Sequence, residues 1–251
     1  MLQRLIAEIP RFFTYYNTIF LAQAMLHTLA LTLIGCGVGF VCGFLIAALR
    51  MTRSRLLLPA RVLAIVYVEI FRRIPFLVIL FIVLFVIQAV SSDVSLFSIA
   101  VVAICLLSTA FMSEIIRSGL ESVPIQQVET AAVLNFGYWR SLLTVQLPQA
   151  WRVILPPGFA FLVMFIKDTS LASQMGVVEL TFSGKVLMNR GFSPFLVYGV
   201  VLFAYFVLSY PLSRFGAYLE SRLAAPRSRG SVQLLWSGAR AEEYNAVGGP
   251  G

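Results

Sequence analysis

Long hydrophobic runs, separated by short polar segments, dominate the chain. A bilayer crossing needs about 20 mainly apolar helical residues, and five runs meet that requirement. The pattern therefore predicts an all-α integral membrane protein with five transmembrane helices. The five runs are Phe20–Leu49, Leu58–Val90, Leu96–Ile116, Val153–Leu171 and Phe195–Phe215.

A proline interrupts the second run. Pro75 has no backbone N–H to donate, so it predicts a kink within Leu58–Val90. Cutting the run at this proline would leave two segments too short to span a bilayer on their own. We therefore expect one kinked helix and a total of five.

Composition agrees with a membrane protein and excludes several other classes. The 251 residues are 59% hydrophobic and 12% charged, with a mean hydropathy of +0.89, whereas soluble domains are about 45–50% apolar and about 25% charged. A soluble enzyme, a disordered chain and a secreted disulfide scaffold are all disfavoured. Cys36, Cys42 and Cys105 lie inside apolar runs, where they are expected to pack as small hydrophobic residues.

The distribution of cations predicts the orientation. Of the 19 cations, 12 fall on one set of connections and 4 on the other, and the remaining three lie within runs. Because cytoplasmic loops are enriched in Lys and Arg, we expect the N-terminus outside and the C-terminus in the cytoplasm. The net charge of +8 is spread over short loops, so nucleic acid is not an expected partner.

The two ends flank a transmembrane domain at residues 20–218. Residues 1–19 mix charges with aromatics and show no cleavable signal peptide, so we expect an extracytoplasmic amphipathic segment on the membrane. Residues 219–251 become rich in Gly, Ser, Ala and charge, which predicts a disordered cytoplasmic tail.

The polar loop at residues 119–151, between the third and fourth spans, carries helix signals. Pro124 suits a helix start, and Asn135 and Gly137 can both adopt positive φ, which predicts that this helix ends there. A second helix is predicted at Tyr138–Gln146, stopping before Pro148. Such a pair could form a docking platform, or it could be an ordinary structured loop.

This loop resembles the coupling-loop signature of ABC importer membrane subunits, Glu-Ala-Ala, three residues, Gly, nine residues, Ile-x-Leu-Pro. Glu129, Ala131, Leu147 and Pro148 match in register, and Asn135 occupies the glycine position. Further segments resemble the polar amino acid uptake branch of this family, the histidine, glutamine and arginine permeases. These segments are Tyr67–Arg72 with Pro75, Ser113–Gly119, Leu147–Ala150 and Lys167–Leu171.

The resemblance covers residues 25–218 and implies a function. It implies a permease subunit of an ATP-driven importer that carries a polar amino acid or related zwitterion across the bacterial inner membrane. It also implies two cytoplasmic ATP-binding subunits, a second identical or homologous permease subunit and an extracytoplasmic solute-binding protein. The residues implied to couple to the ATP-binding subunits are Glu129, Ala131, Asn135, Gly137, Leu147 and Pro148.

The chain itself shows no motif for catalysis or for metal or nucleotide binding. The sequence has neither a phosphate-cradling Gly-x-x-x-x-Gly-Lys-Ser/Thr nor a Gly-x-Ser-x-Gly nucleophile motif. His27 is the only histidine, at the outer end of the first run, and is interpreted as interfacial. We expect a non-enzymatic subunit without cofactor or metal, with ATP bound by its partners.

Two charges inside the predicted spans suggest a substrate site. Counting 1.5 Å per residue from the cytoplasmic side, Arg72 lies ~21 Å into the second run and Asp168 ~24 Å into the fourth. Thr169 and Ser170 add hydroxyl groups. An arginine can bind a carboxylate and an aspartate an ammonium group. The alternative is a structural ion pair that joins Arg72 or Arg73 to Glu69 or Asp168.

Two further patterns predict packing. Glu114 and Arg117 are three residues apart, so we expect a helix-end ion pair. Gly35, Gly39 and Gly43 repeat at four-residue intervals, which predicts close helix packing inside the subunit in preference to a subunit interface.

A self-contained secondary carrier or channel is the alternative function. Such carriers are often built from inverted repeats, and five spans do not divide into equal halves.

Overall fold

The computed structural model describes residues 8–52 and 54–223. This part of the chain is all-α, as predicted. Its helices are α1 (Tyr15–Met51), α2 (Leu58–Arg73), α3 (Phe76–Val90), α4 (Leu96–Glu121), α5 (Ile125–Val133), α6 (Tyr138–Ser141), α7 (Leu147–Asp168), α8 (Leu180–Asn189) and α9 (Pro194–Leu223).

The second hydrophobic run is a broken helix, and the predicted kink understates the bend. The direction of the helix axis bends by 116° between α2 and α3. Ile74 and Pro75 are both extended, with ψ of 136° and 137°, so two residues leave the helical conformation. The cause is local, because a proline disfavours the α conformation of the residue before it and removes a helical donor itself.

The path of the chain indicates that α2 and α3 together connect the two ends of the bundle. Gly35, Gly39 and Gly43 on α1 face Ile104, Ser108 and Met112 on α4 in the same order, so α1 and α4 run parallel. The bent pair must therefore return the chain from one end of the bundle to the other. Four helices are long and apolar enough to span a membrane, and the described residues hold five crossings if the bent pair is one span.

The glycine repeat of α1 packs inside the subunit, as predicted. The Ser108 hydroxyl donates a hydrogen bond to the Gly35 carbonyl oxygen at 2.7 Å. A Cβ atom built on Gly39 would lie 2.1 Å from Ser108 Oγ and 2.9 Å from the Ser108 backbone carbon, while one on Gly37 would meet nothing within 4 Å. Glycine is required on the face of α1 that contacts α4 and not on the neighbouring face.

Both predicted terminal segments differ in part from expectation. Residues 8–12 are helical, and the buried Phe12 ring lies 5.2 Å from Phe192, so this part packs against the connection before α9. Residues 219–223 continue α9 and are not disordered. Residues 15–19 belong to α1, and residues 1–7 and 224–251 lie outside the described residues.

Helix α8 was not predicted, and a buried carboxylate fixes its start. The Oε1 atom of Glu179 accepts a hydrogen bond from the Phe182 amide at 2.8 Å, and Oε2 accepts one from the Tyr205 hydroxyl at 2.8 Å. Glu179 is fully buried. Burial raises its pKa, against the opposing effects of hydrogen bonds from Thr181, Tyr205 and Phe182 and of the Lys185 charge. Glu179 thus joins α8 to α9.

We predict that Glu179→Gln weakens the pH dependence of stability. Because the pKa is raised in the folded state, the folded protein holds this proton more tightly than the unfolded chain. The associated stabilisation is present at low pH and is lost as the pH rises through the raised pKa. Glutamine imitates the protonated form at every pH. Thermal unfolding in detergent from about pH 5 to about pH 8 tests this; a pH dependence equal to wild type would contradict it. Glu220→Gln, at an exposed position, is the control.

We also predict that Gly39→Ala destabilises the bundle and that Gly37→Ala does not. The added methyl group at position 39 must displace the backbone of α4, and such overpacking costs about 1–3 kcal/mol. Thermal unfolding of the two purified variants in detergent measures the difference. Equal melting temperatures for the two variants would show that the α1–α4 contact is looser than described.

Candidate coupling hairpin and intramembrane charges

Residues 124–146 form a compact unit at one end of the bundle, which we call the coupling hairpin. Its first helix, α5, begins after Pro124 and ends at Val133. Asn135 has a φ of 62°, and the amides of Asn135 and Phe136 donate to the carbonyl oxygens of Ala132 and Ala131 at 3.0 and 2.9 Å. This pattern is a Schellman cap. The prediction of a left-handed residue at Asn135 is confirmed.

The second half of the hairpin differs from prediction. Gly137 is extended and precedes α6, but the helix does not stop before Pro148. A π-helical turn at Leu142–Gln146 leads directly into α7. The Leu147 amide donates to the Leu142 carbonyl oxygen, five residues earlier in the chain. Pro148 then occupies the first turn of α7, where the missing backbone donor of a proline is tolerated. The wide turn makes the proline compatible with a continuous helix.

The hairpin contacts the bundle at few points. The Tyr138 hydroxyl donates to the Ala48 carbonyl oxygen in the last turns of α1. Gln149 on α7 donates to the Gln127 side chain on α5. A cavity of about 970 Å³ separates much of α5 from the bundle. Hydrogen bonds therefore tie the hairpin to α1 and α7, and its buried Leu142 belongs to the hydrophobic core of the bundle.

The hairpin also exposes apolar side chains. Val133 is 86% exposed. Glu129 is exposed and forms no hydrogen bond or ion pair with any described residue, and it borders the cavity. The other large exposed apolar residues of the hairpin are Ile125, Leu134, Trp139 and Leu143. Clustered exposed apolar side chains are typical of a binding surface.

The remaining residues implied to couple are not all at the surface. Ala131 is buried and packs the inner face of α5, whereas Gly137 and Pro148 are exposed. Leu147 is partly buried and packs against the main core. Ala131 and Leu147 therefore hold the hairpin in place, and Glu129 is the one charged residue of the set that a partner could contact.

Arg72 lies near the end of α2 and contacts α4. Its guanidinium lies 5.7 Å from the Phe111 ring and 3.7 Å from the Glu114 carboxylate. Glu114 also pairs with Arg50, in the last turn of α1, at 2.8 Å. The Arg72 side chain therefore reaches toward the end of the bundle that carries the coupling hairpin. The residue count along α2 is unaffected by the break, because α2 is continuous from Leu58 to Arg73 and Pro75 follows it.

Asp168 lies elsewhere. The Phe111 ring stacks on Phe161 of α7 at 5.2 Å between centroids, and Asp168 is seven residues further along that helix, about 10 Å at 1.5 Å per residue. Arg72 and Asp168 form no ion pair. Asp168 has neither a hydrogen bond nor an ion pair within the described ranges, although it is partly buried.

The hydroxyl groups beside Asp168 differ from each other. Thr169 is fully buried, and its hydroxyl donates to the Ile166 carbonyl oxygen at 2.7 Å. Ser170 is partly buried and belongs, like Thr169, to the 3₁₀-helix Thr169–Met175 that follows α7. Asp168 and Ser170 thus keep polar groups without a described partner, whereas the Thr169 hydroxyl is already used.

The predicted ion pairs are present, and two further partners of Glu114 were missed. Arg117 pairs with Glu114 as predicted. Arg73 pairs with Glu69 at 2.6 Å, but the Arg73 side chain is 78% exposed. The sequence did not indicate that Arg50 and Arg72, from two other helices, also reach Glu114. The one local signal was that α1 carries no acidic residue near Arg50, which indicates a distant partner.

These features define a class of protein: a multi-pass helical membrane subunit with a structured, apolar hairpin at one end of its spanning bundle. A family model described as "Binding-protein-dependent transport system inner membrane component" matches residues 39–225. The chain belongs to this family of ABC importer permease subunits, which are multi-pass inner-membrane proteins.

The chain is similar to amino acid permeases within this family. It is 33% identical over 198 residues to the probable glutamine ABC transporter permease protein GlnM of Bacillus subtilis (strain 168), covering 78% of this chain and 90% of that protein. It is 35% identical over 204 residues to the L-cystine transport system permease protein TcyB of the same organism, with coverages of 81% and 86%.

A solved structure agrees with this relationship. The crystal structure of an amino acid ABC transporter with histidines superposes with a TM-score of 0.74 at 26% identity. The match covers 82% of this chain and 95% of the other.

Proposed function

We propose that this permease subunit imports a polar amino acid, or a closely related zwitterion, in an ATP-driven transporter. The single observation that carries the proposal is the coupling hairpin, capped at Asn135, with an exposed apolar surface at the end of the spanning bundle. The names of similar permeases, for glutamine and for cystine, support a polar amino acid as cargo.

The proposed assembly contains four further subunits or partners. Two cytoplasmic subunits bind and hydrolyse ATP, and one of them binds the coupling hairpin through its exposed apolar side chains. A second permease subunit, identical or homologous, completes the pathway, and an extracytoplasmic solute-binding protein delivers the cargo. In this arrangement the N-terminus lies outside and the C-terminus in the cytoplasm.

The proposed mechanism is alternating access driven from one end of the bundle. Closure of the ATP-bound subunits displaces the coupling hairpin, and the spanning helices open outward to receive the solute. Hydrolysis then restores the inward-facing state. ATP acts as a ligand that binds one of two conformations more tightly and so shifts their equilibrium.

The proposed substrate site uses Arg72 for a carboxylate and Asp168 for an ammonium group, with Thr169 and Ser170 beside Asp168. The Arg72 side chain is 36% exposed and its one ion pair is long, so it retains donors for a bidentate contact. Asp168 is a partly buried carboxylate without a described partner, which is costly unless a ligand or water satisfies it. Because the Thr169 hydroxyl is already bonded, its contribution to this site is through packing.

A secondary carrier or channel is the competing function. It would move solute without nucleotide, and it would have no use for an exposed apolar hairpin at one end.

We predict that Glu129→Arg abolishes ATP-dependent uptake while the protein still inserts in the membrane. The substitution places a cation on the exposed face of α5, where it disturbs binding of the ATP-binding subunit and leaves the buried face unchanged. Uptake by proteoliposomes containing the complete transporter, together with co-purification of the ATP-binding subunit, measures both effects.

The matched control is Glu220→Arg, at an exposed position on α9 outside the hairpin. It should retain uptake and assembly. Normal ATP-coupled uptake by Glu129→Arg would contradict the assignment of the hairpin as the docking surface.

We predict that Asp168→Asn reduces uptake at least about tenfold without changing assembly with the ATP-binding subunits. Loss of one charge-assisted contact costs about 1.5–3 kcal/mol, which corresponds to a factor of about 10 or more. Initial uptake rates over a range of substrate concentrations measure the effect. Asp93→Asn, in the exposed connection between α3 and α4, is the control. Unchanged affinity and rate would remove Asp168 from the substrate site.

A further inference from the structure

Glu114 lies at the meeting point of three helices. Its Oε2 atom accepts a hydrogen bond from Arg50 Nη1 of α1 at 2.8 Å and lies 3.7 Å from Arg72 Nη1 of α2. Its other oxygen, Oε1, binds Arg117 Nη2 of its own helix, α4, at 2.5 Å. One carboxylate therefore contacts guanidinium groups from α1, α2 and α4.

These charges are largely shielded from water, so the Glu114 carboxylate contributes to the energy of this site. The Arg50 side chain is 8% exposed and that of Glu114 is 20% exposed. Removing one partner of a buried ion pair leaves an uncompensated charge and is strongly unfavourable. Without Glu114, two guanidinium groups from different helices would repel each other across this site. Glu114 thus holds the ends of α1 and α2 against α4.

The Arg72 contact lies beside the break between α2 and α3. Arg72 is the second-last residue of α2, and the extended residues Ile74 and Pro75 follow. A two-residue break between rigid helices is a position at which large changes of φ and ψ can be absorbed. Glu114 fixes the α2 side of this break, whereas the α3 side packs against the 3₁₀-helix after α7.

The same end of α1 contacts the coupling hairpin. The Tyr138 hydroxyl donates to the carbonyl oxygen of Ala48, two residues before Arg50. A displacement of the hairpin therefore pulls on the helix turn that carries Arg50. Continuous contacts run from Tyr138 through α1 and Glu114 to Arg72. Energetic coupling along these contacts requires a direct measurement, which the ratio of uptake to ATP hydrolysis in a Glu114 variant provides.

We propose that Glu114 is a positioning residue that transmits movement of the coupling hairpin to the break between α2 and α3. The proposal rests on the proposed function, because it requires a hairpin that is moved by ATP-binding subunits. Glu114 holds the break between α2 and α3 in one of two positions. Arg50 transmits the displacement of α1 to Glu114.

Glu114→Gln tests this proposal in the complete transporter reconstituted in liposomes with its binding protein. Glutamine keeps the size of the side chain but not its charge. We expect substrate-stimulated ATP hydrolysis to stay within about twofold of wild type and uptake to fall at least about tenfold, so that fewer substrate molecules move per ATP. A tenfold change corresponds to about 1.4 kcal/mol, within reach of the loss of one buried charge pair.

The matched control is Glu121→Gln. Among the described residues Glu121 pairs with Arg117 alone, and its side chain is 51% exposed. The substitution therefore removes a carboxylate from the same helix without affecting a contact to α1 or α2. It should leave the ratio of uptake to hydrolysis unchanged. Arg50→Gln is a second variant, which breaks the same contact from the α1 side and should lower the ratio in the same direction.

A distance measurement separates transmission from simple stabilisation. Spin labels at Val66 on α2 and Val86 on α3, both exposed, report the angle at the break. In the wild type we expect nucleotide to shift this distance, and in Glu114→Gln we expect the shift to be lost. A preserved shift, or an unchanged ratio in both Glu114→Gln and Arg50→Gln, overturns the proposal. Absence of ATP-dependent uptake by the wild type would instead overturn the proposed function.

Discussion

The close parallel contact between α1 and α4 is the constraint on which the rest of the structure depends. Glycines at four-residue intervals let the two backbones approach, and Ser108 joins them by a hydrogen bond to Gly35. Because the helices run parallel, the chain between them must cross the bundle in return, which it does as the broken pair α2–α3. The same register brings Arg50 beside Glu114 and leaves the coupling hairpin next to the end of α1.

A low-dielectric surrounding makes unpaired polar groups costly, and most of those in this bundle are paired. The Thr28 and Thr32 hydroxyls donate to backbone carbonyl oxygens of α1, and Glu179 is bound to Tyr205. The buried side-chain atoms without a hydrogen-bond partner among the described residues are Arg50 Nε and the hydroxyl oxygens of Ser113, Ser193 and Ser209.

The sequence was sufficient for the elements whose signals are local. The long apolar helices follow from hydrophobic length, and the hairpin turn follows from an asparagine that tolerates positive φ. The 116° bend, the π-turn before Pro148 and helix α8 were not predictable, because each depends on distant packing. For the candidate site, residue type marked Arg72 and Asp168 as unusual. The contact of Arg72 with Glu114 joins two helices, and no local pattern reveals it.

We propose that this subunit moves its cargo only when ATP-binding subunits act on the coupling hairpin. The most direct measurement is uptake of radiolabelled amino acid by proteoliposomes that contain the chain, its permease partner and the binding protein, with and without the ATP-binding subunits and ATP. We predict uptake only when both are supplied. Uptake at the same rate by the membrane subunits alone, without nucleotide, would contradict the account.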